Sequence, residues 1–341
     1  MIEPRDQGGN SMPFGVSPYY ASLAESHDPL TDPIAAQFIP RPEELVGLPY
    51  ETRDPLADDR YRVGARVIHH YGDRVLVLAT DRCATYCRHC FRRHFTARST
   101  GRITDDEITE AARYVAGHPE CSEALISGGD PLMLGDEHLC RLLSALRQAR
   151  EDLVLRIATR IPVVQPARVT PELAARLAGY APLWIVIQAN HPREITDEFR
   201  RATGLFVDSG IPILNQTVLL RGVNDNADTL EALMRGLVRC RIKPYYLFQG
   251  DLAWGTSHFR TTIDEGLHLM AELRRRLTGI AIPTYAVDLP GGAGKIPLNE
   301  ASIVRRETGW YVLRDLDGHE HRYPHESDRR MSAVTQLADN P

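Results

Sequence analysis

A regular alternation of two kinds of segment limits most strongly what this chain can fold into. Short apolar runs rich in β-branched residues predict strands at 74–80, 123–127, 153–159, 183–189, 211–217, 243–248 and 282–287. Amphipathic stretches between and after them predict helices at 105–116, 137–147, 171–177, 194–207, 227–240 and 267–277. Six β–α units in series predict the α/β class, with a parallel sheet or barrel at its centre.

Further segments flank this series, which is assigned to residues 66–280. Residues 1–65 are rich in Pro, Asp and Gly and predict an N-terminal wrapping or capping segment with short helical patches such as 31–38. Residues 281–325 are expected to form a glycine-rich loop and a β-hairpin, with strands at 309–313 and 319–322 around a turn at Asp315-Leu-Asp-Gly. A loose, polar tail is expected at 326–341.

Composition restricts the class of function only broadly. The 341 residues are 43% hydrophobic and 25% charged, with a net charge of −5, which is ordinary for a soluble globular protein. So mild a charge gives no reason to expect nucleic acid or an acidic membrane as a partner. The chain starts without an apolar signal-peptide core and contains no apolar run long enough to span a bilayer, so a cytoplasmic location is expected.

The unusual residues of the chain cluster after the predicted strands. In α/β barrels the loops at the carboxyl ends of the strands carry the functional residues. In chain order these loops contain three cysteines, Ser127-Gly-Gly-Asp130-Pro, Asn190-His-Pro, Gln216, Asp251, and Asp288 with Pro-Gly-Gly-Ala-Gly-Lys295. We therefore expect a single active site at one mouth.

Cys83, Cys87 and Cys90 lie within eight residues, with the spacing C-x3-C-x2-C. Thiolates hold iron–sulfur clusters, and a [4Fe–4S] cluster with three protein ligands leaves one iron open to another ligand. A zinc site that also uses His89 is the alternative, although zinc sites usually bring a second pair of ligands. The other three cysteines are scattered and are expected to be small core residues.

Lysine is nearly absent: of 40 Lys and Arg residues, only Lys243 and Lys295 are lysines. Lys295 ends a glycine-rich loop that is not a phosphate-binding P-loop, because Ile296 stands where Ser or Thr is needed. The simplest interpretation is a flexible loop with a surface lysine. A lysine on a mobile loop also suits a Schiff base with pyridoxal phosphate (PLP), since its amine must move away when substrate replaces it.

Together these motifs resemble the lysine 2,3-aminomutase family, whose enzymes combine radical S-adenosylmethionine (SAM) chemistry with PLP. The cysteine spacing after the first strand is typical of radical SAM enzymes. The other matching segments are Tyr71-Gly-Asp-Arg74-Val-Leu-Val-Leu, Arg92-Arg93, Leu125-Ile-Ser-Gly-Gly-Asp130, Asn190-His-Pro-Arg-Glu-Ile-Thr, Asn215-Gln-Thr-Val-Leu-Leu-Arg-Gly-Val-Asn-Asp225, Pro244-Tyr-Tyr, Asp251-Leu, His258-Phe-Arg-Thr and Val287-Asp288-x-Pro-Gly-Gly-x-Gly-Lys295. The resemblance implies a partial (β/α)6 TIM-like barrel with an N-terminal helical arm and a C-terminal β-hairpin extension.

The resemblance also implies roles for individual residues. Lys295 would form the Schiff base with PLP, and Arg92 would clamp the substrate carboxylate, for which a bidentate guanidinium is suited. On the residues alone, Arg92 is a surface charge in an Arg-rich run. The implied ligands are Cys83, Cys87 and Cys90 for the [4Fe–4S] cluster, Tyr71, Arg74 and Gln216 for the PLP phosphate, and Ser127, Gly128, Gly129, Asp130 and Gln188 for SAM.

The implied activity is that of an isomerase that interconverts L-lysine and β-lysine. A 5′-deoxyadenosyl radical would start a 1,2-shift of the amino group, with an electron donor such as flavodoxin or ferredoxin. Asp251 and Asp288 lie where the lysine enzymes hold the terminal ammonium of the substrate; each alone is equally compatible with capping a helix or strand. The alternatives are the same shift on arginine or another basic amino acid, and a non-catalytic metal-binding scaffold. Association into a homo-oligomer is left open.

Several positions depart from the family pattern. His70 stands where many relatives have Arg, Gln188 where a His often precedes Asn-His-Pro, and Phe248 where a Tyr lies near PLP. Asn226 occupies one ligand position of the C-terminal zinc site of longer relatives, and no cysteine follows Cys240. The chain therefore resembles compact members of the family that lack this zinc site.

Overall fold

The computed structural model describes residues 12–98 and 100–325, and its centre is a nine-stranded sheet. The strands lie side by side in the order in which they follow one another along the chain. They are β1 (Val67–Tyr71), β2 (Arg74–Thr80), β3 (Glu123–Gly128), β4 (Val154–Thr159), β5 (Leu183–Ile187), β6 (Ile213–Val218), β7 (Ile242–Phe248), β8 (Thr284–Asp288) and β9 (Lys295–Pro297). Strands β2 to β8 are parallel, and β1 and β9 pair antiparallel at the two edges.

Except for the first, which precedes the sheet, the described helices lie in the connections between the parallel strands. They are α1 (Pro18–Ser22), α2 (Asp105–Ala116), α3 (Asp136–Ala149), α4 (Ile161–Val164), α5 (Pro171–Ala178), α6 (Asp197–Asp208), α7 (Ala227–Arg239) and α8 (Ile263–Arg276). Thr104 starts α2 with a reciprocal capping box to Glu107, and Thr262 starts α8 in the same way with Glu265. In α3 the buried leucines recur at helical spacing, so one apolar face packs on the sheet: Leu139, Leu142, Leu143 and Leu146.

The sheet is curled, and side chains bridge its two edges. The Tyr61 hydroxyl donates to the Gly292 carbonyl at 3.3 Å, and a ring nitrogen of His70 contacts the same carbonyl. The Tyr71 hydroxyl donates to Asp288 Oδ1 at 3.5 Å. We call these contacts the seam. Within the described residues no backbone ladder joins β1 to β9, so the barrel is partial.

The N-terminal segment packs on the loop that carries the cysteines. The Arg88 N–H donates to the Gln37 carbonyl, and the Tyr86 N–H donates to the Gly15 carbonyl, both at 2.9 Å. Glu44 pairs with the buried guanidinium of Arg88. Removing one partner of such a buried pair typically destabilises a protein by about 3–5 kcal/mol. This segment is therefore a firm wall behind the cysteine loop.

A separate three-stranded antiparallel sheet follows the barrel. Its strands are β10 (Ile303–Glu307), β11 (Trp310–Arg314) and β12 (Glu320–Pro324). The Tyr323 hydroxyl donates to the Gly250 carbonyl at 2.5 Å and accepts a hydrogen bond from Gln249 Nε2 at 3.0 Å. The small sheet thus fastens the loop after β7.

The predicted α/β partial barrel is confirmed, and the seven predicted strands begin and end within two residues of the observed ones. Strands β1, β9 and β10 were not predicted, so the expected hairpin is part of a three-stranded sheet. The helix predicted at 194–207 begins at Asp197, and the patch at 31–38 is only a 3-10 turn, Ala35–Gln37, because Pro33 and Pro40 bound it. The tail expected at 326–341 lies outside the described residues, and the boundaries between segments stay a prediction. Among the helices described, none has the length and apolar character needed to cross a membrane.

Candidate active site

A cavity of about 620 Å³ opens at the carboxyl ends of the parallel strands. Every residue assigned above to a cofactor or substrate lines it: Tyr71, Arg74, Cys83, Cys87, Cys90, Arg92, Ser127, Gly128, Gly129, Asp130, Gln188, Gln216, Asp251, Asp288 and Lys295. The fold therefore brings together residues that are spread over most of the chain. Their individual roles stay predictions.

The loop after β2 presents the three clustered cysteines to this cavity. Cys83, Cys87 and Cys90 are free thiols of intermediate exposure. Three thiols on one loop at the cavity fit the ligation of an iron–sulfur cluster that keeps one iron open to another ligand.

Arg160 brings positive charge to this cysteine loop. It directly follows β4, and its Nη1 lies 2.7 Å from Cys87 Sγ, while its Nη2 lies 2.8 Å from a carboxylate oxygen of the buried Glu194. Burial raises the pKa of the Cys90 thiol to about 11 and that of Cys83 well above its ordinary value. Both sulfurs therefore need a metal or another cation to ionise at neutral pH, which fits cluster ligation.

Gly128 and Gly129, at the end of β3, pack directly on the backbone of the cysteine loop. A methyl group on Gly128 would lie 2.4 Å from the Thr80 carbonyl oxygen, and one on Gly129 would lie 2.3 Å from the Arg82 carbonyl oxygen. Gly128 also has a φ of 122°, which residues with a side chain rarely adopt. Close packing between two loops thus requires glycine at both positions, whatever ligand approaches them.

Asp130 uses both carboxylate oxygens within the protein. Oδ1 accepts hydrogen bonds from the Thr159 hydroxyl at 2.7 Å and the Leu132 N–H at 3.0 Å, and Oδ2 accepts one from the Arg160 N–H at 2.7 Å. Burial raises the pKa of this carboxyl. Asp130 therefore joins the loops after β3 and β4, and any contact with SAM would add to these bonds.

Lys295 begins β9 and lies opposite Asp288 across the antiparallel pair. Its Nζ is 2.7 Å from Asp288 Oδ2, 3.9 Å from the ring centre of Phe248 and 5.2 Å from that of Tyr246. The three glycines of the preceding loop have φ values of 71°, 77° and 96°, which glycine adopts readily. An amine on such a loop, beside flat aromatic surfaces, fits a PLP ring.

Lys243, the other lysine, has a structural task. Its Nζ donates hydrogen bonds to the carbonyls of Ile280 at 2.9 Å and Ile282 at 2.8 Å, so it ties β7 to the segment before β8. It does not line the cavity. Lys295 is therefore the one lysine that can reach a cofactor there.

The residues assigned to the PLP phosphate lie near the seam. The Arg74 guanidinium is 4.6 Å from the ring centre of Tyr71, and its Nε is 2.9 Å from Asp73. Gln216 lies on β6 and lines the same cavity. His70 contacts the loop that carries Lys295, so this departure from the family pattern holds the loop in place.

Arg92 is only partly exposed, and its interpretation as a surface charge is wrong. Its side chain is 11% exposed, and Nε lies 2.8 Å from Asp58 Oδ2. Burial alone would raise the pKa of Asp58, but the charge of Arg92 lowers it below its ordinary value. The pair fixes the guanidinium in the cavity wall, where it suits a carboxylate ligand.

Sequence reasoning missed Asp58, Arg160 and Tyr246. Arg160 follows the carboxyl end of a strand, so the rule that placed the other site residues applies to it as well. Tyr246 belongs to the matched segment Pro244-Tyr-Tyr but was given no role. Asp58 has no such signal, because it lies in an irregular segment 34 residues before its partner.

Comparison with known proteins agrees with this site. The family model described as the radical SAM superfamily matches residues 77–234, and the one described as lysine-2,3-aminomutase matches residues 270–340. The L-lysine 2,3-aminomutase of Clostridium subterminale is 40% identical over 308 residues, which cover 90% of this chain and 74% of that protein.

Two further relatives extend the comparison. A putative L-lysine 2,3-aminomutase of Aquifex aeolicus is 43% identical, with 90% of this chain and 83% of that protein covered. The glutamate 2,3-aminomutase of Clostridioides difficile is 36% identical, and the match covers 91% of this chain and 73% of that protein. The chain therefore belongs to the lysine 2,3-aminomutase family, isomerases that use a [4Fe–4S] cluster, SAM and PLP.

Proposed function

We propose that this enzyme interconverts L-lysine and β-lysine by moving an amino group between the α- and β-carbons. The observation that carries the proposal is the charge of the cavity wall, which contains Asp251 and Asp288 together with Arg92 and Lys295. Lysine offers a carboxylate for Arg92, an α-amine that can replace Lys295, and a terminal ammonium for the aspartates. Each charged group of the substrate then has a partner of opposite charge.

The protein contributes orientation and shielding. When bound, SAM and the cluster supply a hydrogen-abstracting radical, and PLP carries the amino group that moves. Arg92, itself held by Asp58, fixes the carboxylate end of the substrate, while the carboxylates fix the opposite end. Holding both ends aims one carbon at the radical, and orientation of this kind supplies up to about 7–11 kcal/mol of barrier reduction. Phe248 and Tyr246 line the cavity and keep water from the reacting groups.

An acidic substrate fits this wall poorly, although one relative is a glutamate enzyme. Burial and then the charge of Asp288 raise the pKa of Asp251 to about 7, so like charges already repel in the site. A further carboxylate would add to that repulsion, whereas an ammonium or guanidinium would relieve it. A basic amino acid is therefore favoured.

Turnover of lysine, arginine and glutamate tests the substrate. The anaerobically purified enzyme, supplied with SAM, PLP and a reductant, should form β-lysine, identified by mass spectrometry after derivatisation. Activity on arginine but not on lysine would overturn the proposed substrate. The variant Lys295→Ala should lose the PLP absorption band, and Lys243→Ala is the matched control that should keep it.

The proposed reaction draws on an external one-electron donor, such as flavodoxin or ferredoxin, and on cytoplasmic pools of its small molecules. Purified protein should contain about four iron atoms per chain, as one [4Fe–4S] cluster requires. Zinc without iron, together with no turnover of any amino acid, would favour the metal-binding scaffold instead.

A further inference from the structure

The loop that carries the clustered cysteines is rich in arginine. Residues 81–102, which lie between β2 and α2, contain six arginines, whereas Asp81 is their one acid. The arginines are Arg82, Arg88, Arg92, Arg93, Arg98 and Arg102. The whole chain, by contrast, has a net charge of −5. The loop is therefore a local excess of positive charge on a protein that is acidic overall.

Three of these arginines are paired with carboxylates of the N-terminal segment. Arg88 and Arg93 both reach Glu44, and Arg92 pairs with Asp58. Their side chains are 2%, 9% and 11% exposed. These three charges are thus balanced within the protein, and they hold the loop against the N-terminal segment.

The other three arginines face solvent. Arg82, Arg98 and Arg102 are exposed, and their guanidinium groups make no ion pair with any described residue. None of the three lines the cavity. We call these three residues the basic patch. Its charges are free to meet an acidic partner.

Backbone contacts bring the members of the patch together. Arg102 forms an antiparallel bridge with Thr80, two residues before Arg82. The residue before Arg98 donates its N–H to the Asp81 carbonyl at 2.8 Å. Because the end of the loop folds back on its beginning, the three side chains project from adjacent backbone segments.

Acidic residues at the start of α2 do not neutralise the patch. Asp105 pairs with Arg141 at 3.3 Å, and Glu107 pairs with Arg66 at 3.1 Å, so two of the three acids in this turn are engaged outside the patch. Asp106 is the remaining acid of the turn. Arginine therefore stays in excess on this surface.

The patch and the cysteines lie on different sides of one loop. Cys83, Cys87 and Cys90 line the cavity, whereas Arg82, the residue directly before Cys83, is exposed to solvent and does not line it. The N-terminal segment covers the loop through Arg88 and Arg93. The patch is therefore an approach to the cysteines from solvent that does not pass through the cavity.

We propose that the basic patch docks the electron donor, an acidic one-electron carrier protein, on the solvent side of the cysteine loop. This assignment rests on the proposed function, because that reaction draws on an external donor. A net negative protein repels an acidic carrier, and a local basic surface both overcomes that repulsion and orients the encounter. A carrier at this surface can reduce the cluster while SAM, PLP and the substrate fill the cavity.

The transfer balances in charge. The hydroquinone anion of a flavodoxin loses one electron and becomes the neutral semiquinone, and the oxidised cluster gains that electron. No covalent bond forms or breaks, and no proton moves. The patch has only to hold the carrier near Cys83 for a single transfer, and small, weak interfaces are typical of such redox encounters.

Reduction of the cluster by purified flavodoxin tests the patch without lysine. The holoenzyme is compared with Arg82→Glu/Arg102→Glu and with the matched control Arg239→Glu/Arg274→Glu, which changes the net charge equally. Arg239 and Arg274 are exposed and have no ion pair within the part of the chain that the structure describes. They lie near the ends of α7 and α8, at the amino ends of the strands and away from the cavity.

Rapid anaerobic mixing with flavodoxin hydroquinone gives the second-order rate constant from the appearance of the semiquinone, and EPR of frozen samples gives the amount of reduced cluster. Each rate is measured over a series of salt concentrations. A photoreduced, uncharged deazaflavin serves as a small reductant that needs no docking surface. Equal reduction of all proteins by deazaflavin shows that each retains a folded, reducible cluster.

The wild-type rate constant should be high at low salt and fall as salt screens the attraction. Arg82→Glu/Arg102→Glu should lower it at least about tenfold at low salt and should lose most of the salt dependence. The control should stay close to the wild type. If the variant at Arg82 loses its cluster, Arg98→Glu/Arg102→Glu leaves the neighbour of Cys83 unchanged and should show the same loss.

Flavodoxin rates that are equal in the wild type and in the patch variants would overturn the docking surface. An equal loss in Arg239→Glu/Arg274→Glu would overturn it too, because net charge alone would then explain the effect. The proposed function fails separately. If flavodoxin reduces the wild type rapidly but no β-lysine forms, the reaction assignment is wrong and the docking surface still holds; if β-lysine forms and the patch variants react like the wild type, only the docking surface is wrong.

Discussion

Gly129 lies outside the cysteine loop, but replacing it with alanine should distort the backbone of that loop. The added methyl group would lie 2.3 Å from the carbonyl oxygen, 2.7 Å from the carbonyl carbon and 2.8 Å from the nitrogen of Arg82. These are backbone atoms next to Cys83, so rotation of a side chain cannot relieve the clash. Ordinary van der Waals contact begins at 3.4 Å, so the Arg82 oxygen has to move by 1.1 Å (3.4 − 2.3).

The expected magnitude follows from that displacement. Overpacking in a filled interior destabilises proteins by about 1–3 kcal/mol, and we expect the free energy of unfolding to fall by about 2 kcal/mol. Metal sites tolerate errors of only about 0.2 Å in ligand distances. Movement of the backbone beside Cys83 should therefore also reduce the iron content well below that of the wild type.

Urea unfolding followed by circular dichroism, and iron determined per chain, measure the two effects. Gly135→Ala is the matched control, because it lies in the same connection between β3 and α3. An added methyl group there meets no atom within 4 Å, and its φ of −64° suits alanine. If Gly129→Ala has the iron content and unfolding free energy of Gly135→Ala, the steric reasoning is wrong.

Three further predictions concern charge and support around the cavity. Because the pKa of Asp251 is about 7, the KM for lysine should rise about tenfold per pH unit below 7 as the carboxylate becomes neutral; a flat profile would contradict this. Arg160→Gln removes a cation 2.7 Å from Cys87 Sγ and should lower the cluster potential by roughly 60 mV in an EPR redox titration, whereas Arg160→Lys should retain most of it. Tyr323→Phe removes the hydroxyl bonded to Gly250 and should raise the KM for lysine several-fold, with iron and PLP contents unchanged; a loss of either cofactor would point to general unfolding instead.

The parallel strands could be predicted because strands buried on both faces consist of apolar, β-branched runs, which can be recognised in the sequence. Strand β1 contains two histidines among five residues, and β9 has three residues and a proline, so neither shows a strand pattern. The start of α6 was placed too early because Pro192–Glu194 forms a separate 3-10 turn before the Thr196 cap. Local composition cannot show where one such element ends and the next begins.

The mouth of the barrel could be predicted in the same way, since parallel strands bring their carboxyl ends to one edge. The partner of each charged residue could not. Arg92 meets Asp58, and Arg160 meets Cys87, across 34 and 73 residues of chain. Such pairs depend on how loops from different strands fold over one another, and no spacing rule in the sequence encodes that.

The seam gives the two sides of the cavity unequal stiffness. The cysteine loop follows a strand of the parallel sheet and is held by buried ion pairs. The two edges of the sheet, by contrast, meet through the side chains of Tyr61, His70 and Tyr71. Each such bond contributes only about 0.5–1.5 kcal/mol, so parting the seam would break no strand ladder. The closure of the barrel is therefore weaker than any pairing between its neighbouring strands.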